Sequence, residues 1–294
     1  MADIILSVRH LKKDFSINKS FTVEAVNDVS FDLKRGEVFG LAGESGSGKS
    51  TLARTLMSMY QPTSGEIYYN GACISDKVVY QQQKKKIQKN MQIVFQDSAA
   101  ALNPHMSVEE IIGEPLKIHK LCSTQKEYQE KIKGVLKMVG LDNGFCDRYP
   151  DELSGGQRQR VNIARSLSLE PALVIADEPV ASLDVSIQAQ IINLFQKLQD
   201  EKKFTFLFIA HDLSLLRFIS DRIAVMYRGR LVELAETDEL FTQPLHPYTR
   251  SLLSAIPVPD PQMERMKNFI AFDEREISEN ACWQEVKKGH FVLR

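Results

Sequence analysis

Gly43-Glu-Ser-Gly-Ser-Gly-Lys-Ser-Thr51 decides the fold of this 294-residue chain. The stretch fits the pattern G-x-x-x-x-G-K-[S/T], in which glycines allow backbone N–H groups to wrap around phosphates. The apolar run 38–42 before it predicts a buried strand, and residues 52–60 after it have the pattern of a helix. Strand, glycine-rich loop and helix in this order predict a phosphate-binding loop that ends at a helix N-terminus.

The residue types in the loop predict which positions contact a nucleotide and its metal ion. Lys49 is expected to reach the β- and γ-phosphates of a nucleotide, Ser50 to ligate Mg²⁺, and Thr51 to assist at the phosphates. The other nucleotide-binding positions predicted in the loop are Gly43, Ser45, Gly46 and Gly48. The alternative interpretation, a flexible Gly/Ser turn, leaves the flanking strand and helix unexplained.

A pair of carboxylates follows another buried strand, in Leu173-Val-Ile-Ala-Asp-Glu178. The carboxyl end of a strand is where ligands bind in open α/β sheets. Asp177 would hold magnesium through water, and Glu178 would orient or deprotonate the attacking water. Taken alone, the motif also fits a strand followed by an acidic helix cap, with Pro179 as a breaker. The phosphate loop in the same chain favours the ATPase interpretation.

The order of strand and helix patterns predicts an α/β fold. Residues 172–176 and 204–210 are apolar, strand-like runs, and the stretch between them has one apolar helical stripe. Strand, helix and strand in succession favour a parallel sheet with right-handed crossovers. Residues from about 97 to 168 are mostly helical in pattern, as an insert in an α/β domain would be.

Other segments predict antiparallel strands and a domain boundary. Residues 65–71 form a strand that ends in an Asn-Gly turn, and 226–230 predict a hairpin turn. Val29, Phe31 and Leu33 are apolar at period two, which is typical of a half-buried strand. Because Pro257 and the prolines after it interrupt the last clear helix, we expect residues 1–256 to form one domain and 257–294 a C-terminal tail.

Composition excludes several classes of protein. The net charge is −1, and the single basic run, Lys84–Lys86, is typical of a solvated face, so no nucleic-acid partner is expected. The four cysteines form no C-x-x-C pair, which favours reduced thiols over a zinc knuckle or a disulfide framework. No apolar run reaches the roughly 18–20 residues of a membrane span, and the start lacks a signal-peptide pattern. Any membrane part is therefore expected from another chain.

Leu153-Ser-Gly-Gly-Gln157 discriminates among nucleotide-binding proteins. A predicted helix over 157–169 follows, so Ser154, Gly155 and Gly156 form a second helix start suited to an anion. With this motif and the phosphate loop, the chain resembles the ABC ATPase family, whose signature it is. The resemblance implies a P-loop NTPase (RecA-like) core with an antiparallel β subdomain and an inserted α-helical subdomain. It also implies a head-to-tail dimer, in which the phosphate loop of one subunit and the signature of the other hold each ATP.

The resemblance assigns further residues by their position in motifs. Gln96 matches the Q-loop glutamine, which senses magnesium and the membrane partner, and Asp184 matches the D-loop. His211 matches the switch histidine that contacts the γ-phosphate, although taken alone it would be interpreted as a helix cap. Phe15 matches the aromatic residue that stacks on adenine.

Three segments narrow the resemblance to the ATP-binding subunits of oligopeptide and dipeptide ABC importers: Leu102–Pro104, Asp177–Gln190 and His246–Pro261. Close relatives import nickel, metallophores or glutathione, so the solute stays open. The resemblance implies a second ATPase subunit, expected to be a different chain, and two transmembrane permease subunits. It further implies an extracellular or periplasmic solute-binding protein, and a location at the cytoplasmic face of the membrane.

Two departures from the subgroup affect these expectations. Ser98–Ala101 stands where the subgroup usually has a proline and an aromatic residue, in a loop that faces the membrane subunit, which leaves the choice of partner open. Many relatives carry a tail cysteine cluster that binds an iron–sulfur cluster. Only Cys282 lies in that region here, so no iron–sulfur cluster is expected. Cys282-Trp283 and 289–292 still resemble the end of the family's tail.

Other functional classes fit less well. DNA-repair members of the family insert a very long coiled coil between the phosphate loop and the signature, and the roughly hundred residues here are too few. Ribosome-acting members carry two tandem ATPase domains, whereas this chain has one. A catalytically inactive subunit is disfavoured because Lys49, Asp177, Glu178 and His211 are all present.

Overall fold

The computed structural model describes residues 3–18, 21–257, 267–273 and 281–294. The chain divides into two units. We call them the helical unit, which contains Met1–Asp3, Lys34–Glu37 and Lys77–Leu207, and the sheet unit, which contains Ile4–Leu33, Val38–Asp76 and Phe208–Arg294.

The strands in chain order are β1 (Ile4–Asn18), β2 (Phe21–Lys34), β3 (Val38–Ala42), β4 (Ser64–Tyr69), β5 (Ala72–Cys73), β6 (Met91–Val94), β7 (Leu173–Asp177), β8 (Thr205–Ala210), β9 (Arg222–Tyr227), β10 (Arg230–Glu236), β11 (Trp283–Lys287) and β12 (His290–Leu293). The helices are α1 (Lys49–Leu56), α2 (Lys77–Asn90), α3 (Ser98–Ala101), α4 (Val108–Ile118), α5 (Gln125–Met138), α6 (Gly155–Leu167), α7 (Val185–Lys202), α8 (Leu213–Ile219), α9 (Thr237–Thr242) and α10 (Pro247–Ser254). Short 3₁₀ turns lie at Asn143–Phe145 and Pro150–Glu152. Strand β8 carries the chain from the helical unit into the sheet unit.

The sheet unit contains the antiparallel β subdomain that the sequence predicts. Its four strands follow the order β2-β1-β4-β5, and β4 pairs antiparallel with both of its neighbours. Val29, Phe31 and Leu33 are all buried, as their period of two predicts. The Asn-Gly turn joins β4 to β5, with Tyr69 paired to Ala72.

A second sheet of the same unit contains both β3, the strand before the predicted phosphate loop, and the end of the chain. The strand order within this unit is β11-β12-β10-β9-β3. Strand β3 is parallel to β9, and the predicted hairpin turn joins β9 to β10 with Tyr227 opposite Arg230. Strands β10 and β12 are antiparallel, with Glu233 opposite Val292. The remnant of the family's tail is therefore a hairpin on the edge of this sheet.

The helical unit contains the predicted insert. Helices α3 to α6 lie within the predicted 97–168 region, and β6 is parallel to β7. Helix α7 buries Ile191, Phe195 and Leu198 on the stripe that its sequence predicts. The α/β fold class and the helical insert are confirmed.

The helix predicted over residues 52–60 is displaced in the structure. Helix α1 begins at Lys49, directly after the left-handed Gly48, and ends at Leu56. Ser58 adopts a φ of 56°, which no continuing α-helix permits. The signature helix α6 spans Gly155–Leu167 instead of the predicted 157–169, and its N-cap is Ser154, in the helix start that the sequence predicts.

A buried carboxylate fastens the C-terminal hairpin to the rest of the sheet unit. Glu233 of β10 is fully buried and accepts the backbone N–H groups of Leu245 at 2.7 Å and His246 at 3.0 Å. Its Oε1 lies 2.8 Å from Nε2 of the buried His290 on β12. The other ring nitrogen of His290 faces Glu239, whose pKa is lowered by hydrogen bonds from Lys287 and then His290.

We expect Glu233→Ala to lower the free energy of unfolding by about 3 kcal/mol, because it leaves the buried N–H of His246, the partly buried N–H of Leu245 and the buried imidazole of His290 without their acceptor. Glu236→Ala, an exposed residue on the same strand, should change stability by less than about 0.5 kcal/mol. Urea unfolding of the two variants measures both values. A loss below about 1 kcal/mol for Glu233→Ala would contradict this account.

Candidate functional site

The phosphate loop lies between β3 and α1, as predicted, and its backbone is closely surrounded. A Cβ on Gly43 would lie 2.3 Å from the carbonyl oxygen of Met226. A Cβ on Gly48 would lie 2.1 Å from that of Ala25, and Gly48 has a φ of 105°. Only glycine fits either position, because an added Cβ would overlap a backbone carbonyl oxygen that cannot move aside. These glycines therefore allow neighbouring backbone to enclose the loop.

Lys49 lies inside this loop. It is 3% exposed, and its Nζ donates to the carbonyl oxygens of Gly43 at 2.7 Å and Glu44 at 2.8 Å. A buried ammonium group requires such partners, and the loop's own carbonyls supply them. The side chain is thereby held at the centre of the loop, where it can serve an anion.

The start of α1 fits a phosphate group. Gly48 is its N-cap and has no side chain, so the first turn carries no side-chain cap. Backbone N–H groups at a helix start favour an anion through both hydrogen bonds and the helix dipole. Ser50 and Thr51 lie in this first turn, and Ser45 and Gly46 are exposed in the loop before it.

His211 and Phe15 also belong to the sheet unit. His211 is exposed directly after β8, and the neighbouring Asp212 caps α8 by accepting the N–H of Ser214 at 2.8 Å. The helix-cap interpretation of His211 is therefore wrong, because Asp212 takes that role. Phe15 lies half-buried on β1, edge-on to Tyr60 with ring centroids 5.3 Å apart. Its contact with adenine stays a prediction.

The helical unit brings Gln96 and Glu178 together. Asp177 is the last residue of β7 and is 3% exposed, and Glu178 follows it. Nε2 of Gln96 donates to Oε2 of Glu178 at 3.0 Å. Glu178 has a φ of 48°, a left-handed conformation that costs a non-glycine residue about 1 kcal/mol.

Two residues that the sequence analysis missed fix the segment around Gln96. Asn162 on α6 donates to the carbonyl oxygen of Phe95 at 3.2 Å. Arg165, also on α6, donates to that of Ala101 at 2.7 Å and to the side chain of Asn162. Burial lowers the pKa of Arg165. The signature helix therefore holds both ends of the segment that carries Gln96.

The signature motif forms the start of α6. The Ser154 hydroxyl accepts the N–H of Gln157 at 3.3 Å, and the Gln157 side chain accepts the N–H of Ser154 at 2.9 Å. This reciprocal pair is a capping box. A Cβ on Gly156 would lie 2.7 Å from the side chain of Ile187, whereas one on Gly155 would have ordinary contacts. Gly156 is thus needed for the packing of α6 against α7.

Asp184 is the N-cap of α7. Its carboxylate accepts the N–H of Ile187 at 3.0 Å and the hydroxyl of Ser186 at 2.6 Å. These hydrogen bonds, that of Ser186 first, lower the pKa of Asp184. Its local structural role is therefore a helix cap, and the D-loop role assigned by resemblance stays a prediction.

The four cysteines, all within the described residues, form no disulfide bonds. Cys73 and Cys122 are half-buried, Cys146 is buried and Cys282 is exposed. Burial raises the pKa of Cys146. Among the residues that the structure describes, no three His, Cys, Asp or Glu side chains are grouped so that they could hold a metal ion.

Comparison with known proteins places the chain in a family. The family described as ABC transporter matches residues 26–181, and that described as oligopeptide/dipeptide transporter, C-terminal region, matches residues 232–280. The chain belongs to the ABC transporter family. This ABC ATPase is 50% identical to the oligopeptide transport ATP-binding protein OppF of Bacillus subtilis, with 100% of this chain and 97% of that protein covered. It is 47% identical to OppF of Streptococcus mutans, with 98% and 94% covered.

Solved structures of ABC ATPases share its fold. The dimeric cassette MJ0796 bound to ADP and Pi aligns with a TM-score of 0.71 at 28% identity, covering 79% of this chain and 98% of that one. The structure of cbiO1 from Clostridium perfringens, part of the complex cbiONQ, aligns with a TM-score of 0.73 at 27% identity, covering 90% and 98%. Over the residues that the structure describes, none of the ABC ATPase's helices is both long and apolar enough to cross a membrane.

We expect Gly48→Ala to abolish ATP binding and to lower the free energy of unfolding by about 3 kcal/mol, because its Cβ meets a backbone carbonyl. Gly71→Ala is the matched control, since Gly71 has a φ of 80° but nothing within 4 Å of the added Cβ. It should cost about 1 kcal/mol and leave ATP binding unchanged. Denaturant unfolding and ATP titration measure these effects. Equal effects of the two substitutions would show that the close approach of Ala25 is unimportant.

Proposed function

We propose that this chain is one of the two ATP-hydrolysing subunits that power a membrane importer of oligopeptides or dipeptides. One observation carries the peptide assignment. Residues 232–280 match the C-terminal region of oligopeptide/dipeptide transporters, in a chain whose full-length relatives are named oligopeptide transport ATP-binding proteins. Importers of nickel, metallophores or glutathione are the alternatives, and measurements of nickel and glutathione uptake test two of them.

In this proposal the phosphate loop binds the phosphates of ATP. Lys49 would exchange its loop carbonyls for the β- and γ-phosphates, and the backbone N–H groups of Ser45, Gly46 and the first turn of α1 would donate to phosphate oxygens. The Phe15 ring stacks on adenine. The residues that would hold Mg²⁺ are Ser50, Gln96 and, through water, Asp177. Mg²⁺ supplies positive charge that neutralises the phosphate oxygens.

Glu178 is the proposed general base. Its carboxylate accepts a proton from water while the water oxygen forms a bond to the γ-phosphorus. The bond from that phosphorus to the bridging oxygen breaks, and ADP leaves with the electron pair. Gln96 orients the base, which its hydrogen bond to Oε2 supports. His211 contacts the γ-phosphate and stabilises the charge on its oxygens.

A second ATPase subunit completes each site in this proposal. Ser154, Gly155, Gly156 and Gln157 bind the ATP held by the phosphate loop of the partner, and Asp184 lies on the same dimer surface. The dimeric structure of a related cassette with ADP and Pi supports this arrangement. We propose a different chain as the partner, and we expect the isolated subunit to hydrolyse ATP poorly until the dimer forms.

The remaining components are two transmembrane permease subunits and an extracellular or periplasmic solute-binding protein. The chain would act at the cytoplasmic face of the membrane, and its helical unit would transmit closure of the dimer to a permease. We propose no nucleic-acid partner. Because Cys282 is the single cysteine of the tail, we also propose no iron–sulfur cluster.

We expect Glu178→Gln to abolish ATP turnover while ATP binding persists, because the amide cannot accept the proton but keeps the size of the side chain. The variant should also accumulate as an ATP-held dimer. ATPase activity of the assembled transporter and size-exclusion chromatography with ATP measure these effects.

Glu170→Gln is the matched control. Glu170 is exposed and has a φ of 51°, close to the 48° of Glu178, so the two substitutions make the same chemical change in the same backbone conformation. Its turnover should equal that of the unchanged protein. Normal turnover by Glu178→Gln would show that another group is the base.

We expect cells that lack this chain to lose uptake of labelled oligopeptides and to regain it when the chain is supplied. Lys49→Ala should fail to restore uptake, because the phosphate loop loses the charge that binds ATP. Uptake of nickel and of glutathione, measured in the same cells, should not change. Loss of nickel or glutathione uptake with normal peptide uptake would overturn the peptide assignment.

A further inference from the structure

Tyr248 lies in the segment His246–Pro261, which marks the subgroup but has no part in the chemistry proposed above. It is the second residue of α10 and is 2% exposed. Its hydroxyl oxygen accepts the N–H of Glu44 at 3.3 Å. Glu44 is the second residue of the phosphate loop, so a C-terminal helix contacts the loop directly.

The peptide unit between Gly43 and Glu44 is held on both sides. Its N–H donates to Tyr248, and its carbonyl oxygen accepts from Nζ of Lys49 at 2.7 Å. Both partners therefore act on one rigid planar group. Loss of the Tyr248 hydroxyl would leave the Glu44 N–H without this partner and would hold the Gly43 carbonyl, one of the two acceptors of Lys49, less firmly.

Neighbouring aromatic rings and the start of α10 fix the position of the Tyr248 ring. Its ring lies 4.5 Å from that of Tyr227 and 5.2 Å from that of Phe272, measured between centroids. His246 is the N-cap of α10, and its Nδ1 accepts the N–H of Tyr248 at 3.1 Å. Burial lowers the pKa of His246 and raises that of Tyr248 to about 12, so both side chains are neutral at physiological pH.

The cap residue is itself anchored by the C-terminal hairpin. Glu233 accepts the N–H of His246, and His290 of β12 contacts the same carboxylate at 2.8 Å. Hydrogen bonds thus connect β12, Glu233, the start of α10, Tyr248 and the phosphate loop within the sheet unit. The C-terminal region that marks the subgroup is thereby joined to the loop, through a hydrogen bond that is partly buried at Glu44.

We propose that Tyr248 is a positioning residue of the ATP site: it fixes the Gly43–Glu44 peptide and, through it, the place of Lys49. The inference rests on the phosphate-loop role proposed above. A loop held in one binding-competent conformation binds ATP more tightly than one that also samples others, by the factor by which the competent population rises.

Tyr248→Phe tests this role, because it keeps the ring and removes only the acceptor. We expect the Kd of ATP, measured by titration of the full chain, to rise roughly 3- to 10-fold, the value of one hydrogen bond that no longer fixes the loop. In the assembled transporter the KM for ATP should rise by a similar factor. The kcat at saturating ATP should change less than about 2-fold, since Tyr248 touches no reacting atom.

Tyr128→Phe is the matched control. Tyr128 is 5% exposed, and its hydroxyl donates to the backbone carbonyl of Glu109 at 3.4 Å in the helical unit. This variant should lose a comparable amount of thermal stability but bind ATP with unchanged affinity. Stability alone therefore cannot produce the expected difference between the two variants.

Three outcomes would overturn the inference. An unchanged Kd for Tyr248→Phe, whatever its melting temperature, would show that the tyrosine is only structural. Equal loss of ATP affinity in Tyr128→Phe would show that the effect is not specific to the loop. Failure of the unchanged chain to bind ATP would overturn both this inference and the proposed function. The first two outcomes, in contrast, would overturn only the role of Tyr248.

Discussion

The nucleotide site depends on the close approach of neighbouring backbone to the phosphate loop. Carbonyl oxygens of Ala25 and Met226 occupy the places where side chains on Gly48 and Gly43 would begin. The turn after β9 adds to this enclosure, because the N–H of Gly229 donates to the carbonyl of Ser47 at 2.8 Å. Because neighbouring backbone encloses the loop, the loop has little conformational freedom. It therefore loses little conformational entropy when it binds an anion beside Lys49. The conformation of the loop therefore depends on the surrounding backbone of the sheet unit as well as on its own nine residues.

The C-terminal region belongs to this same arrangement. Residues 257–294 are predicted as a C-terminal tail, and within them β11 and β12 extend the sheet that contains β10. The buried Glu233 joins that hairpin to the start of α10. Burial of an ionised side chain is costly unless its hydrogen bonds are satisfied, and here three donors surround one carboxylate. Such a network specifies one position for α10, and through α10 one position for Tyr248.

The parts of the fold that could be predicted from the sequence are those encoded locally. The phosphate loop, the Asn-Gly turn and the Ser154–Gln157 helix start all depend on residues within a few positions of one another. The contacts of Tyr248 with Glu44 and of Gln96 with Glu178 join residues 204 and 82 positions apart. No period or spacing encodes such pairs, because each depends on the packing of several elements. Helix α1 ends at Leu56 and not at residue 60 as predicted. The left-handed residue after it is Ser58, whereas glycine or asparagine usually marks such a helix end in a sequence.

Within the helical unit, helix α6 connects the signature motif to the segment that carries Gln96. Asn162 and Arg165 bind the backbone on both sides of Gln96, and both residues belong to α6, the helix that begins at the signature. Gln96 in turn contacts the Glu178 carboxylate, whose left-handed backbone is stable only if its surroundings hold it. In the proposed mechanism, contact of the signature with a partner's ATP and orientation of Glu178 as the base would therefore be linked through α6 within one subunit.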